Sequence, residues 1–248
     1  MRGASRGVEP VHAPSLGWAP PAFRLEGLRL NRSLLPVALV TATYLLVSIV
    51  AAVRLGNVEF VFYIGVMFVL IALVALVHAR VGLSTGLLWA LSIWGAMHMA
   101  GGLVQLPDGW PTDGGFQVLY SLWLLEGPRD ATGAAVGLLK YDQLTHAYGF
   151  ATATWLCWQG LQGAVAPDDP TRPGTPRLRP SLGTMSLVAT AGMGLGALNE
   201  VVEFVATRVT DTNVGGYENT GWDLIANTVG ATFAVCLIAW RGRDGARG

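Results

Sequence analysis

Asn199-Glu200-Val201-Val202-Glu203 sets two carboxylates one helical turn apart inside an apolar run that extends from about Leu182 to Val209. Ionisable groups in a segment greasy enough to cross a bilayer are costly, and by default mark a functional site with partners elsewhere. Candidate partners sit in or beside other apolar runs: His98, the pair Asp142 and His146 at i, i+4, and the pair Asp223 and Asn227 at the same spacing. Imidazole together with carboxylate suits a borderline or hard divalent cation such as zinc, iron, manganese or magnesium, and the lack of thiolate disfavours a soft-metal site. Helical bundles build such sites from short i, i+3 and i, i+4 pairs on facing helices. The candidate metal ligands are therefore His98, Asp142, His146, Glu200, Glu203, Asp223 and Asn227. Glu203 is also a candidate general base, and Arg208 or Lys140 a candidate holder of a phosphate.

The elements that must position these residues are long and apolar. Of the 248 residues 52% are hydrophobic and 13% charged, about half the charged fraction of a soluble domain. Runs of about 20 apolar residues identify a polytopic, all-α membrane bundle. Six spans are expected, at about 34–53, 59–77, 84–106, 141–161, 182–209 and 221–240, within a membrane domain at 33–241. Residues 1–32 read as a mobile, largely disordered cytoplasmic tail with a short surface-lying piece near Phe23–Leu30, and 242–248 as a short cytoplasmic tail. The first two spans look like featureless scaffold. Between the third and fourth, Phe116–Leu125 is apolar but too short to span, which suggests a re-entrant or interfacial segment over the site. Cys157 and Cys236 both fall in apolar runs and read as buried free thiols. Zero net charge gives no reason to expect a nucleic-acid partner.

Orientation follows from the basic residues. With both termini inside, only Arg54, Arg129, Lys140 and Arg208 of the 16 lysines and arginines fall outside or within the spans, the positive-inside pattern. Heavy use of Ala, Gly and Arg hints at a GC-rich bacterium, and the expected location is the plasma membrane. In this topology His98, Asp142, His146, Glu200, Glu203, Asp223 and Asn227 share one depth in the outer part of the bilayer, within roughly 10 Å at 1.5 Å rise per residue.

Each residue by itself has a plainer reading. His98 alone is an interior histidine, Asp223 a helix N-cap, Asp142 with His146 a structural pair, and Glu203 with Arg208 an interfacial ion pair. Gly192, Gly194 and Gly196 fit close helix packing better than phosphate binding. Their shared depth is what favours one functional site.

The segments Gly95-Ala96-Met97-His98, Tyr141-Asp142-Gln143-Leu144-Thr145-His146, Asn199-Glu200-Val201-Val202-Glu203 and Trp222-Asp223-Leu224-Ile225-Ala226-Asn227-Thr228-Val229-Gly230-Ala231 resemble, in order, the motif blocks of the YjdF-like bacterial inner-membrane proteins. Met97 separates Ala96 from His98, a departure from that pattern. A weaker likeness is to the VanZ-like proteins, a family associated with glycopeptide resistance. Neither resemblance implies a reaction. Three functions remain open: a divalent-metal-dependent enzyme, such as a hydrolase, acting on a lipid-like or phosphate-bearing substrate at the extracytoplasmic leaflet; a structural or accessory subunit with a buried polar or metal site; and a proton- or cation-coupled transporter. Membrane lipids are the expected surroundings in each case.

Overall fold

A computed structural model describes residues 32–114, 116–129, 135–165, 178–208 and 216–244. The N-terminal tail and the polar loop holding Asp168, Asp169, Arg172 and Arg177 lie outside the described residues. Six long helices carry the fold: α1 (Leu35–Leu55), α2 (Val58–Val81), α3 (Thr85–Leu103), α4 (Tyr141–Ala164), α5 (Leu182–Ala206) and α6 (Tyr217–Asp244).

Local sequence sets the helix ends. Proline opens α1, and the chain leaves it through Gly56 in a left-handed conformation at φ 62°, which glycine adopts without a Cβ penalty. Asn57 then caps α2 by accepting from the Phe60 amide at 3.0 Å, so α1 and α2 form a tight hairpin. Gly82, at φ 69°, ends α2 in the same way. The Ser84 hydroxyl caps α3, and Ser181 with Thr184 forms a capping box for α5.

The connection from α3 to α4 departs from the expected all-α architecture. Phe116–Leu125 does not re-enter as a helix; it holds a single 3-10 turn at Leu119–Ser121 and then enters a strand. That strand, β1 (Trp123–Arg129), pairs antiparallel with β2 (Ala135–Lys140), with Trp123 opposite Lys140 and Glu126 opposite Gly137. Pro107, Pro111 and Pro128, together with the glycines at 109, 114, 127 and 137, make continuous helix unfavourable here. Extended pairing satisfies the backbone instead. The third helix consequently ends at Leu103, and Leu106 N–H donates to the Gln117 carbonyl at 2.8 Å while Leu119 N–H donates to that of Val104 at 3.1 Å. Trp123 N–H donates to Pro111 at 2.9 Å and Tyr141 N–H to Leu122 at 2.9 Å. The connection is thus a folded cap on the ends of α3 and α4.

α4 is the hub, packing on α2, α3, α5 and α6. The burial pattern is inverted relative to a water-soluble protein. Asp223, Asn227, Thr145 and Thr154 are among the most deeply buried side chains, whereas Leu46, Val47, Val53, Val69 and Phe233 are exposed. An apolar exterior around a polar interior matches a lipid surround. By length and hydropathy α1, α2, α5 and the stretch Tyr217–Gly242 of α6 are each capable of crossing a membrane. α3 and α4 fall outside that group, and α4 carries Gln143, Thr145, His146, Thr152 and Thr154 on its buried face. This is a multi-pass membrane fold with a helix of polar buried face at its centre.

Candidate metal centre

Three helices bring the polar residues together near the cap. α4 presents Asp142 and His146 in its first two turns, with His146 Nε2 3.5 Å from Asp142 Oδ1. α5 presents Glu200, whose Oε1 is 3.5 Å from His146 Nδ1, and Glu203, whose Oε1 is 3.8 Å from His146 Nε2. The sixth helix begins at Tyr217, a turn earlier than its apolar run suggests. That earlier start puts Asp223 inside the helix, so it is not an N-cap, and it aligns Asn219, Asp223 and Asn227 at i, i+4 and i+8 on one face. Asp223 is 0% exposed.

The helices approach closely because glycines meet across them. A Cβ on Gly230 would collide with the backbone of Ala147 and Ala151, one on Gly192 with Thr154, and one on Gly196 with Asn227. Gly194 faces open space. Packing therefore explains Gly192 and Gly196, as expected for small residues between membrane helices.

Asparagine amides hold the carboxylates. Asn199 Nδ2 donates to Glu203 Oε1 at 2.6 Å. Asn219 Nδ2 donates to Asp223 Oδ2 at 2.6 Å and to Asp142 Oδ2 at 3.2 Å. Asn227 Nδ2 faces Glu200 Oε1 at 3.5 Å, while its Oδ1 lies 3.1 Å from His146 Nδ1. Lys140 enters the network from the cap, donating to Asn219 Oδ1 and, at 3.1 Å, to Asp113 Oδ2. Neutral amides orient carboxylates without cancelling their charge.

The donor set fits a divalent cation. One ligand atom from each of His146, Glu200, Glu203 and Asp223 lies within 4.8 Å of the others. Ligands about 2.0–2.2 Å from a shared ion are at most about 4.4 Å apart, so the four side chains would have to draw in by a few tenths of an ångström to share one. Glu200 Oε2 and Asp223 Oδ1 are buried without a hydrogen-bond partner among the described residues. A buried acceptor oxygen left without a partner costs about 1–3 kcal/mol, a cost that a bound cation would remove.

The remaining residues singled out from the sequence fall outside this four-residue group. Asp142 and Asn227 touch His146 directly and flank it. His98 is engaged by aromatic rings: its ring meets Phe60, Tyr63 and Tyr120 at centroid distances of 6.3, 5.6 and 5.7 Å. The Tyr120 hydroxyl engages His98 Nδ1 and donates to the His98 carbonyl at 3.0 Å. Burial, followed by the charge of Asp142, holds the Tyr120 phenol well above its usual range, so it stays protonated. Arg208 is exposed and stacks on Phe204 at 4.7 Å, with no hydrogen bond or ion pair to the cluster among the described residues.

Sequence reasoning passed over Asn219, although the 219–223–227 spacing carries the signal once the helix start is known. It also treated α2 as scaffold. Glu59, 5% exposed, and Tyr63, 7% exposed, lie one turn apart at the start of α2. Glu59 lies near enough to Glu203 for the two carboxylates to repel each other when both are ionised. The Tyr63 hydroxyl is buried without a partner among the described residues.

Residues 36–244 match the family model described as "Predicted membrane protein (DUF2238)". The chain belongs to that family. Membership of DUF2238 is consistent with the resemblance to the YjdF-like proteins, and the matched residues include every helix that contributes to the polar cluster. No curated protein and no solved structure matches the chain.

Proposed function

We propose that this DUF2238 protein is a divalent-metal-dependent membrane enzyme acting on a lipid-like or phosphate-bearing substrate at the extracytoplasmic leaflet. His146, Glu200, Glu203 and Asp223 hold the ion, with Asp142 and Asn227 flanking them. The observation that carries this reading is the meeting of four ligand atoms within 4.8 Å, with buried carboxylate oxygens of Glu200 and Asp223 left unpartnered among the described residues. A bound divalent ion supplies a more acidic water or polarises a phosphoryl or carbonyl oxygen. Glu203, held by Asn199, is the protein group placed to accept a proton. All six helices cross the bacterial inner membrane in this reading, with both termini cytoplasmic and the cap outside.

One observation supports a second reading. Each of Asp142, Glu200, Glu203 and Asp223 already faces an asparagine amide, as a self-contained structural network would. Metal content of detergent-purified protein separates the two. Near-stoichiometric metal in the parent, lost in Glu200→Ala and His146→Ala, supports the metal enzyme. A folded parent that takes up no zinc, manganese or iron leaves the structural reading in its place. Transport is less favoured, because the titratable cluster gathers at the cap end of the bundle.

A further inference from the structure

Asn219 has an amide whose orientation is dictated from both sides. Lys140 has only hydrogens to offer, so the oxygen of Asn219 must face its ammonium group. The nitrogen then faces the carboxylates, donating to Asp223 Oδ2 at 2.6 Å and to Asp142 Oδ2 at 3.2 Å. Lys140 is itself 7% exposed and is held on the cap by Asp113 at 3.1 Å. One neutral side chain thus joins the cap, α4 and α6.

The consequence lies in the other two oxygens. With each Oδ2 pinned, Asp142 Oδ1 is turned to within 3.5 Å of His146 Nε2, and Asp223 Oδ1 is buried without a partner among the described residues. We propose that Asn219 is a positioning residue for the cation site, holding Oδ2 of Asp142 and of Asp223 so that Asp223 Oδ1 is left for the ion and Asp142 Oδ1 for His146, and that Lys140 fixes its amide. The inference rests on the metal reading of the cluster. Asn219 touches no substrate and transfers no proton; it acts through the two carboxylates.

Charge and orientation make opposite predictions here, which provides the test. Asn219→Asp keeps the shape, adds a negative charge and removes the two donated bonds. Lys140→Met removes a positive charge and leaves the Asn219 oxygen unheld. If charge alone set affinity, both variants would bind a cation more tightly. If orientation sets it, both bind more weakly.

The experiment is titration of the full-length detergent-solubilised protein with Zn2+ and with Mn2+, reading Kd, alongside the metal-free thermal midpoint. The expected result is a 10- to 100-fold weaker Kd for Asn219→Asp, the usual effect of losing a group that orients a ligand, and a smaller weakening for Lys140→Met. Both variants should also lower the metal-free midpoint, since each leaves carboxylates near the cap uncompensated, so Kd is read on protein shown to be folded at the titration temperature. Asn219→Ala should match Asn219→Asp; should it fail to fold, the isosteric variant still decides. Parent-like or tighter binding by Asn219→Asp overturns the proposal while leaving the metal site standing. A parent that binds neither ion overturns both.

Discussion

His146 Nδ1 and Asn227 Oδ1 lie 3.1 Å apart across the α4–α6 interface. The amide nitrogen of Asn227 faces Glu200, so its oxygen is an acceptor placed to take a proton from His146 Nδ1. Nε2, which faces Asp142 and Glu203, would then be the nitrogen free to ligate a bound cation. Fixing the tautomer of a metal-binding histidine through its other nitrogen is a common device. Asn227→Ala should therefore weaken Zn2+ binding about 10- to 100-fold, while His146→Ala should abolish stoichiometric binding. Calorimetric titration of both variants checks this, and unchanged affinity in Asn227→Ala would remove the tautomer argument.

The cluster depends on how closely α6 approaches α4. At Gly230 a side chain would meet the backbone of Ala147 and Ala151, which cannot yield unless the helices separate. Gly230→Leu is expected to cost about 1–3 kcal/mol or more and to lower cation uptake with it, since Asp223 and Asn227 move with α6. Gly194→Ala, facing open space, should alter neither. Thermal unfolding in detergent with parallel metal analysis would show whether the two losses travel together.

Tyr63 offers a test of opposite sign. Its hydroxyl is buried with no partner among the described residues, and removing an unsatisfied polar group is neutral or stabilising. Tyr63→Phe should leave the metal-free melting midpoint unchanged or raise it, by the equivalent of up to about 1 kcal/mol. A clear fall would mean that the hydroxyl has a partner in the working protein.

The cap is tied down through Tyr120. Its hydroxyl bonds His98 at the ring and at the carbonyl, and burial keeps the phenol protonated well above its ordinary range. The tether should therefore persist as pH rises past about 10, where an ordinary phenol ionises, because the neutral phenol is the form that donates. Tyr120→Phe should cost about 1–3 kcal/mol and speed amide exchange in residues 104–122. Equal exchange in parent and variant would count against the tether.

Orientation can be read chemically. Cys157 and Cys236 are free and are first replaced by alanine. Trp110→Cys, at an exposed cap position, is expected to react with an impermeant thiol reagent from outside the cell. Arg179→Cys, exposed at the opposite end before α5, should react only after permeabilisation. The reverse pattern would invert the topology.

Much of this architecture was legible in the chain because a bilayer imposes strong one-dimensional rules. Apolar runs of bilayer length become helices, and spacings of three or four residues place Asp142 with His146 and Asp223 with Asn227 on common faces without any knowledge of neighbours. The shared depth of Glu200, His146 and Asp223 follows from counting rise along antiparallel helices. Rotation about each helix axis does not follow from counting. It depends on glycine contacts such as Gly230 on Ala147, and only the packed structure shows that His98 turns toward Tyr120 while Glu203 turns toward His146. The hairpin of Trp123–Arg129 with Ala135–Lys140 was likewise hidden, since its register is interrupted by irregularities between Trp123, Leu125, Glu126 and Arg129 and its apolar stretch is short enough to read several ways. Asn219 lay outside the apolar run that outlines the sixth helix, and Glu59 and Tyr63 lay in a helix whose composition suggests scaffold alone. Sequence determined which helices carry charge and how far along each; tertiary packing decided which of those charges meet, because side-chain direction is a property of helix rotation and contact rather than of position along the chain.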